Sequence, residues 1–139
     1  VSPPVVRTAM PSMNRGLGCK LIDGGHQIGI FIRLSQSQEL LGNIRSSGRA
    51  ANVFSLPSSN RTLQFKGSDA RIIPFAPENL PVIEGHIADF LLEVLPLGMS
   101  EAVVRAILAY QPDDLVSVVY SPCAAFSQTP GPKAGTPLT

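Results

Sequence analysis

Residues 18–34 read GCKLIDGGHQIGIFIRL, and this stretch decides the fold. Two apolar runs, 18–22 and 28–32, flank Asp23-Gly24-Gly25. Glycines tolerate the positive φ angles of a tight reversal, so the pattern predicts an antiparallel hairpin. The period then changes. Ser35 can cap a helix, and Gln38 stands three residues on, as in a capping box. Leu40, Leu41 and Ile44 share one helical face, and Gly48 can close the helix in a left-handed conformation. The spacing predicts a helix over 35–47.

Working outward, 50–56 is an expected strand with Val53 and Phe54, and 57–60 (Pro-Ser-Ser-Asn) an expected turn. Residues 61–67 alternate: Leu63 and Phe65 share one face, while Arg61, Thr62, Gln64 and Lys66 divide over the ends and the other face. Ile72 and Ile73 extend the sheet over 69–75. A second helix is expected over 77–95. Asn79 can cap it, Pro81 lies in its first turn, and Val82, Ile83, Ile87, Phe90, Leu91 and Val94 recur at helical spacing. Pro96 and Gly98 end it. Ser100 can cap a third helix carrying Val103, Val104, Ile107 and Leu108, and 115–120 is an expected strand. Val5-Val6 can open a short strand, limited by Pro3, Pro4 and Pro11. Residues 121–139, with Pro122, Pro130, Pro132 and Pro137, read as an irregular tail. Strands joined by tight turns imply a mainly β, α+β domain over 1–139, an antiparallel barrel with flanking helices. No repeat of 20 residues or more is present.

Composition narrows the function classes. The 139 residues hold 11 basic and 10 acidic side chains, a net charge of +1. Charged residues are 15%, against roughly 25% in ordinary soluble domains. A nucleic-acid binder needs a basic face, which this balance does not favour. No apolar run approaches the length of a membrane span, and the first twenty residues lack a basic start with an apolar core. The expectation is a cytoplasmic protein without nucleic acid or membrane partners. Two explanations stand for the scarce charge: surface buried in a partner subunit, or surface covered by uncharged polar residues.

Catalytic constellations are missing. His26, after a turn, and His86, in a helix, lie in no metal-ligand spacing. Cys19 and Cys123 sit in no CxxC, so two small buried thiols are expected. Asp113-Asp114 reads as a solvated turn. What remains is a set of phosphate-type ligands from three segments: Arg15; Arg33, Ser35, Ser37 and Gln38; and Arg61, Thr62, Gln64 and Lys66. Helix-start amides with hydroxyls and arginines suit phosphate. Taken singly, Ser35 is also a plain helix cap, and Arg61 and Lys66 an exposed sheet face.

The ordered set resembles the pyridoxamine 5'-phosphate oxidase-related, FMN-binding split-barrel family. The likeness runs from 11 to 132: the segment PSMNRGLG at 11–18, the hairpin ending in Phe31-Ile32-Arg33, the helix over 35–47, Gly48-Arg49-Ala50-Ala51, the strand NRTLQFKG at 60–67, and AFSQTPGP at 125–132. The resemblance implies a small six-stranded antiparallel split barrel with flanking helices, forming a homodimer with FMN at each end of the interface. It implies that Arg15, Gly16 and Leu17 run along the flavin, that Arg33, Ser35, Ser37 and Gln38 lie at its phosphate and ribityl chain, and that Arg61, Thr62 and Gln64 approach from the neighbouring strand. It also implies an oxidoreductase acting on a small molecule, with the flavin carrying the electrons.

The chain departs from the oxidases of this family in three respects. Where they carry a basic Ser-Arg-Lys-type run at the helix start, it has Ser37-Gln38-Glu39. It also has no Trp and no clear match to their basic carboxy-terminal substrate residues. Alternatives are therefore a haem- or deazaflavin-binding barrel and a cofactor-free barrel with a binding or scaffold role. A nucleic-acid-binding barrel, with Phe65 between Arg61 and Lys66, is a distant third.

Overall fold

In a computed structural model of the chain, the residues described are 5–8, 13–56, 61–127 and 135–137. The hairpin forms where its turn chemistry demands. Strands β3 (Gly18–Ile22) and β4 (Gln27–Arg33) pair antiparallel, Gly18 opposite Phe31 and Ile22 opposite Gln27. Between them Asp23, Gly24 and Gly25 take φ of 52°, 65° and 92°. Helix α1 (Gln38–Ser47) follows, and Gly48 ends it at φ 69°, its amide donating to the Ile44 carbonyl at 2.8 Å. The helix begins later than expected. Ser37 holds the cap position, but its hydroxyl donates back to the Arg33 carbonyl at 2.5 Å and so makes no capping box.

The remaining elements are β1 (Val5–Thr8), β2 (Met13–Arg15), β5 (Ala50–Leu56), β6 (Arg61–Gly67), β7 (Arg71–Pro74), α2 (Leu80–Val94), α3 (Glu101–Ile107), β8 (Leu115–Tyr120), β9 (Ala124–Ser127) and β10 (Thr136–Pro137). The expected turn at 57–60 lies outside the described residues. All described pairings are antiparallel. One sheet has the order β10-β9-β6-β5-β1-β2, the other β3-β4-β8-β7. The fold is the α+β antiparallel split barrel expected, its strands divided over two sheets. Three times the chain leaves one sheet and soon enters the other: β2 to β3, β6 to β7 and β8 to β9.

Strand β4 shows why two cores form. Successive side chains point to opposite faces. Ile28, Ile30 and Ile32 join Val116, Val118 and Tyr120 of β8, Ala50 of β5 and Leu40, Leu41 and Ile44 of α1. Phe31, on the other face, joins Leu17, Ile83, Ile87, Phe90 and Leu91 beneath α2, with Val104 and Leu108. The first core fills the barrel, with α1 packed on it. The second fixes the α2–α3 layer.

Gly67 marks the tightest crossing. A Cβ there would lie 2.8 Å from the Ser121 carbonyl oxygen and would strike the Tyr120 ring. Only glycine lets β6 pass this close to the end of β8.

Three expectations need correction, and one burial, that of Gln64, is new. Residues 124–127, read as part of an irregular tail, form β9 and pair with 63–66 of β6, because an open strand edge supplies amides and carbonyls that outweigh weak local propensity. Gln64 is buried at 7% exposure, deeper than the half-buried Leu63 and Phe65 on the other face. Cys123 is exposed and Cys19 half-buried, so the pair of buried thiols is not found. Asn79 precedes α2 but makes no cap bond; its Oδ1 accepts from Lys20 Nζ at 3.2 Å.

Candidate functional site

The joint between β4 and α1 gathers four of the expected ligands. Arg33 is only 8% exposed. Its Nη1 donates to the carbonyls of Ile107 at 3.1 Å and Ala109 at 2.5 Å, and its Nη2 donates to Ile107 at 3.2 Å. These are carbonyls at the C-terminal end of α3, which have no helical partners and carry negative partial charge. Ser35 turns to Asp114, donating from its amide at 2.8 Å and its hydroxyl at 2.5 Å. Those bonds, the hydroxyl first, hold the Asp114 carboxyl below the usual carboxylate range. Gln38 Nε2 donates to the Leu34 carbonyl at 2.8 Å. All four expected phosphate ligands at this joint therefore hold protein partners, and the joint ties β4, α1, α3 and the 111–114 turn together.

A second group lies on the six-stranded sheet. Ala50, Asn52 and Phe54 of β5 alternate toward the barrel core that holds Ala50, so Val53 and Ser55 point outward. Gln64 pairs with Val53 and Thr62 with Ser55, which places both on the outer face. The hydroxyls of Ser55 and Thr62 are 3.2 Å apart. Lys66 lies on the same face, its Nζ 5.1 Å from the centre of the Phe126 ring. Arg15 pairs with Val5, Val5 with Val53 and Val53 with Gln64, so Arg15 and Gln64 lie in one cross-strand row. Arg61 is exposed at the start of β6, with the parity of Leu63. Among the described residues, helix α1 packs on β1 and β7 and α2 on β3, while on the outer face of β5 and β6 Gln64 is buried and Ser55 and Thr62 are half-buried.

Gly16 and Leu17 fall between β2 and β3. Leu17 is 1% exposed in the second core, and its amide donates to the Phe31 carbonyl at 2.8 Å. Leu17 is thus a core residue whose backbone joins the two sheets.

Two features escaped the sequence reading. Asn52 is fully buried, and neither of its side-chain polar atoms has a partner among the described residues. A buried unmet amide costs about 1–3 kcal/mol. Nothing in a single sequence distinguishes this Asn from a surface one. The second is the Tyr110 hydroxyl donating to Glu84 across α2 and the end of α3. Partial burial, then the bond to Glu84, pushes the Tyr110 phenol up to about 12.

At one end of the barrel a cavity of about 380 Å³ is lined by Cys19, Leu21, His26, Phe54 and Phe65 among others. Phe54 and Phe65 meet edge to face there, ring centres 5.9 Å apart. Among the described residues, no three His, Cys, Asp or Glu side chains cluster to hold a metal, and no helix is long and apolar enough to cross a membrane.

No family model and no curated protein matches the chain. Solved structures do. HupZ of Group A Streptococcus is similar over 96% of this chain and 90% of its own, at 14% identity and a TM-score of 0.55. An F420 reductase is similar over 89% and 88%, at 18% identity and a TM-score of 0.50. A pyridoxamine 5'-phosphate oxidase-related, FMN-binding protein of Nostoc punctiforme is similar over 94% and 75%, at 10% identity and a TM-score of 0.50. At these identities the shared property is the fold, and it agrees with the fold of the family that the sequence resembles.

Proposed function

We propose that the chain is a flavin-binding split-barrel protein that works as a homodimer, with FMN as its cofactor and a small molecule as its redox substrate. The observation that carries this reading is the outer face of the six-stranded sheet. Arg15 and Gln64 share one row on it and Thr62 stands beside Gln64, while Arg61 is exposed at the strand end with the parity of Leu63. The residues fit an anionic, hydrogen-bonding cofactor in part. Arg15 and Arg61 supply cations for a phosphate, and Thr62 and Gln64 supply hydrogen-bonding groups. A bound flavin supplies hydride or electron transfer, and the chain supplies position and hydrogen bonds. A second copy covering the same face accounts for the low surface charge. Two of the similar structures, named as an FMN-binding protein and an F420 reductase, support a flavin-type ligand.

The committed state of Arg33, Ser35, Ser37 and Gln38 favours a second reading, a barrel that binds a partner without a cofactor. The absorbance spectrum of the purified protein, taken with its mass in solution, separates the two. The first reading expects flavin absorbance and the mass of a dimer. Colourless protein that also ignores added FMN supports the second, and a monomer at micromolar concentration overturns the homodimer.

A further inference from the structure

Helix α2 carries an apolar stripe on the side that faces solvent, beside the exposed Glu84 and Asp89, as well as an apolar face turned to the core. Ile83, Ile87, Phe90, Leu91 and Val94 are buried against the barrel. On the opposite side Pro81, Gly85, Ala88 and Leu92 are exposed at helical spacing, Leu92 at 74%. The apolar surface continues past the helix end through Leu97, 57% exposed. The small side chains at 85 and 88 allow a second helix to approach closely.

The charges around this stripe identify its occupant. Helix α2 has no Lys or Arg; its charged side chains are Glu84, Asp89 and Glu93. Over residues 77–110 five carboxylates face one guanidinium, a formal charge of −4, and the rest of the chain carries +5 to give the total of +1. One oxygen of Glu93, Oε2, is shielded from water and has no donor among the described residues. A second copy packed on this face would set the same three carboxylates against each other, and an anionic bilayer would be repelled.

We infer that the outer face of α2 docks a basic amphipathic helix of another protein, which lays apolar side chains over Gly85, Ala88 and Leu92 and lysines or arginines against Glu84, Asp89 and Glu93. This is helix-on-groove recognition with complementary charge. It is independent of the cofactor.

Fluorescence anisotropy tests it with two labelled model helices. Both carry Leu and Ala at the same helical spacing; one has Lys at every other position and the other Glu. The protein should bind the Lys helix saturably and at least ~10-fold more tightly than the Glu helix, and rising salt should weaken the complex. The pairs Ala88→Gln/Leu92→Gln and Asp89→Asn/Glu93→Gln, all exposed but the half-buried Glu93 and all compatible with a helix, should each weaken it by about tenfold with the melting curve preserved. Equal affinity for the two helices, or unchanged affinity in both variant pairs, overturns the inference. So does self-association, or sedimentation with phosphatidylglycerol vesicles, that Ala88→Gln/Leu92→Gln abolishes, since the face would then serve a second copy or a membrane.

Discussion

Ser35 donates two hydrogen bonds to Asp114, one from its amide and one from its hydroxyl, at 2.8 and 2.5 Å. The two residues stand 79 positions apart, so this contact locks the start of the α1 segment to the turn before β8. It also makes stability depend on acid in a defined direction.

The Asp114 carboxyl is held below its ordinary value, first by the Ser35 hydroxyl and then by the Ser35 amide. A carboxyl depressed in the folded state stabilises fully above its unfolded pKa of about 3.9, and the contribution fades as pH falls through the folded value. Ser35→Ala should therefore lower the melting temperature near neutral pH. The gap from the parent should close as pH drops below about 4. Paired thermal melts across pH check this; a gap that stays constant down the acid range contradicts the assignment.

Arg33 should matter to stability more than to flavin. Removing its guanidinium leaves the carbonyls of Ile107 and Ala109 without their donor. A bond to a charged group contributes about 1.5–3 kcal/mol, so Arg33→Met should destabilise by about that amount in urea unfolding. Hydrogen exchange in α3 should speed up. Arg33→Lys, assayed below its melting point, should change FMN affinity by less than about threefold, well under 1.4 kcal/mol.

Arg15 is expected to act the other way. Arg15→Ala removes a cation from the exposed sheet face, where one charge-assisted bond to phosphate contributes about 1.5–3 kcal/mol. The dissociation constant for FMN should rise by about tenfold or more, a larger change than Arg33→Lys gives. Flavin fluorescence titration of the parent and both variants checks this.

Two glycines should respond with opposite signs. Gly67→Ala forces a methyl against the Ser121 carbonyl and the Tyr120 ring, and such overpacking costs about 1–3 kcal/mol. Gly42, exposed within α1, has nothing within 4 Å of an added Cβ. Gly42→Ala should stabilise by about 0.5–1 kcal/mol through helix propensity. One denaturation series measures both.

The elements legible in the sequence were those written in local chemistry. Asp23-Gly24-Gly25 announces its turn, Leu40, Leu41 and Ile44 announce α1, and Gly48 announces the end of α1. Strand β9 was hidden because its residues have weak strand propensity and are held by the edge of β6, far away in sequence. Asp114 looked solvated for the same reason: its partner, Ser35, enters from the other half of the chain. The site shows the same division. The residue types that suit a phosphate stand out in the sequence. Whether an arginine faces solvent, as Arg15 does, or is turned to a helix end, as Arg33 is, depends on packing. Burial of Gln64 and Asn52 carried no local mark at all.

The pairing of β4 with β8 has a consequence for synthesis. Ile28 lies opposite Tyr120, so the β3–β4 hairpin finds its neighbour only once the chain has been made as far as Tyr120. Until then the Ile28, Ile30 and Ile32 face is exposed, together with an open strand edge. Distant pairing slows folding and leaves nascent chains prone to aggregate. A ribosome-bound chain halted before residue 115 should therefore hold an unfinished barrel and be a favoured client of chaperones. Emergence of β8, rather than formation of the β3–β4 hairpin, becomes the committing step in the protein's biogenesis.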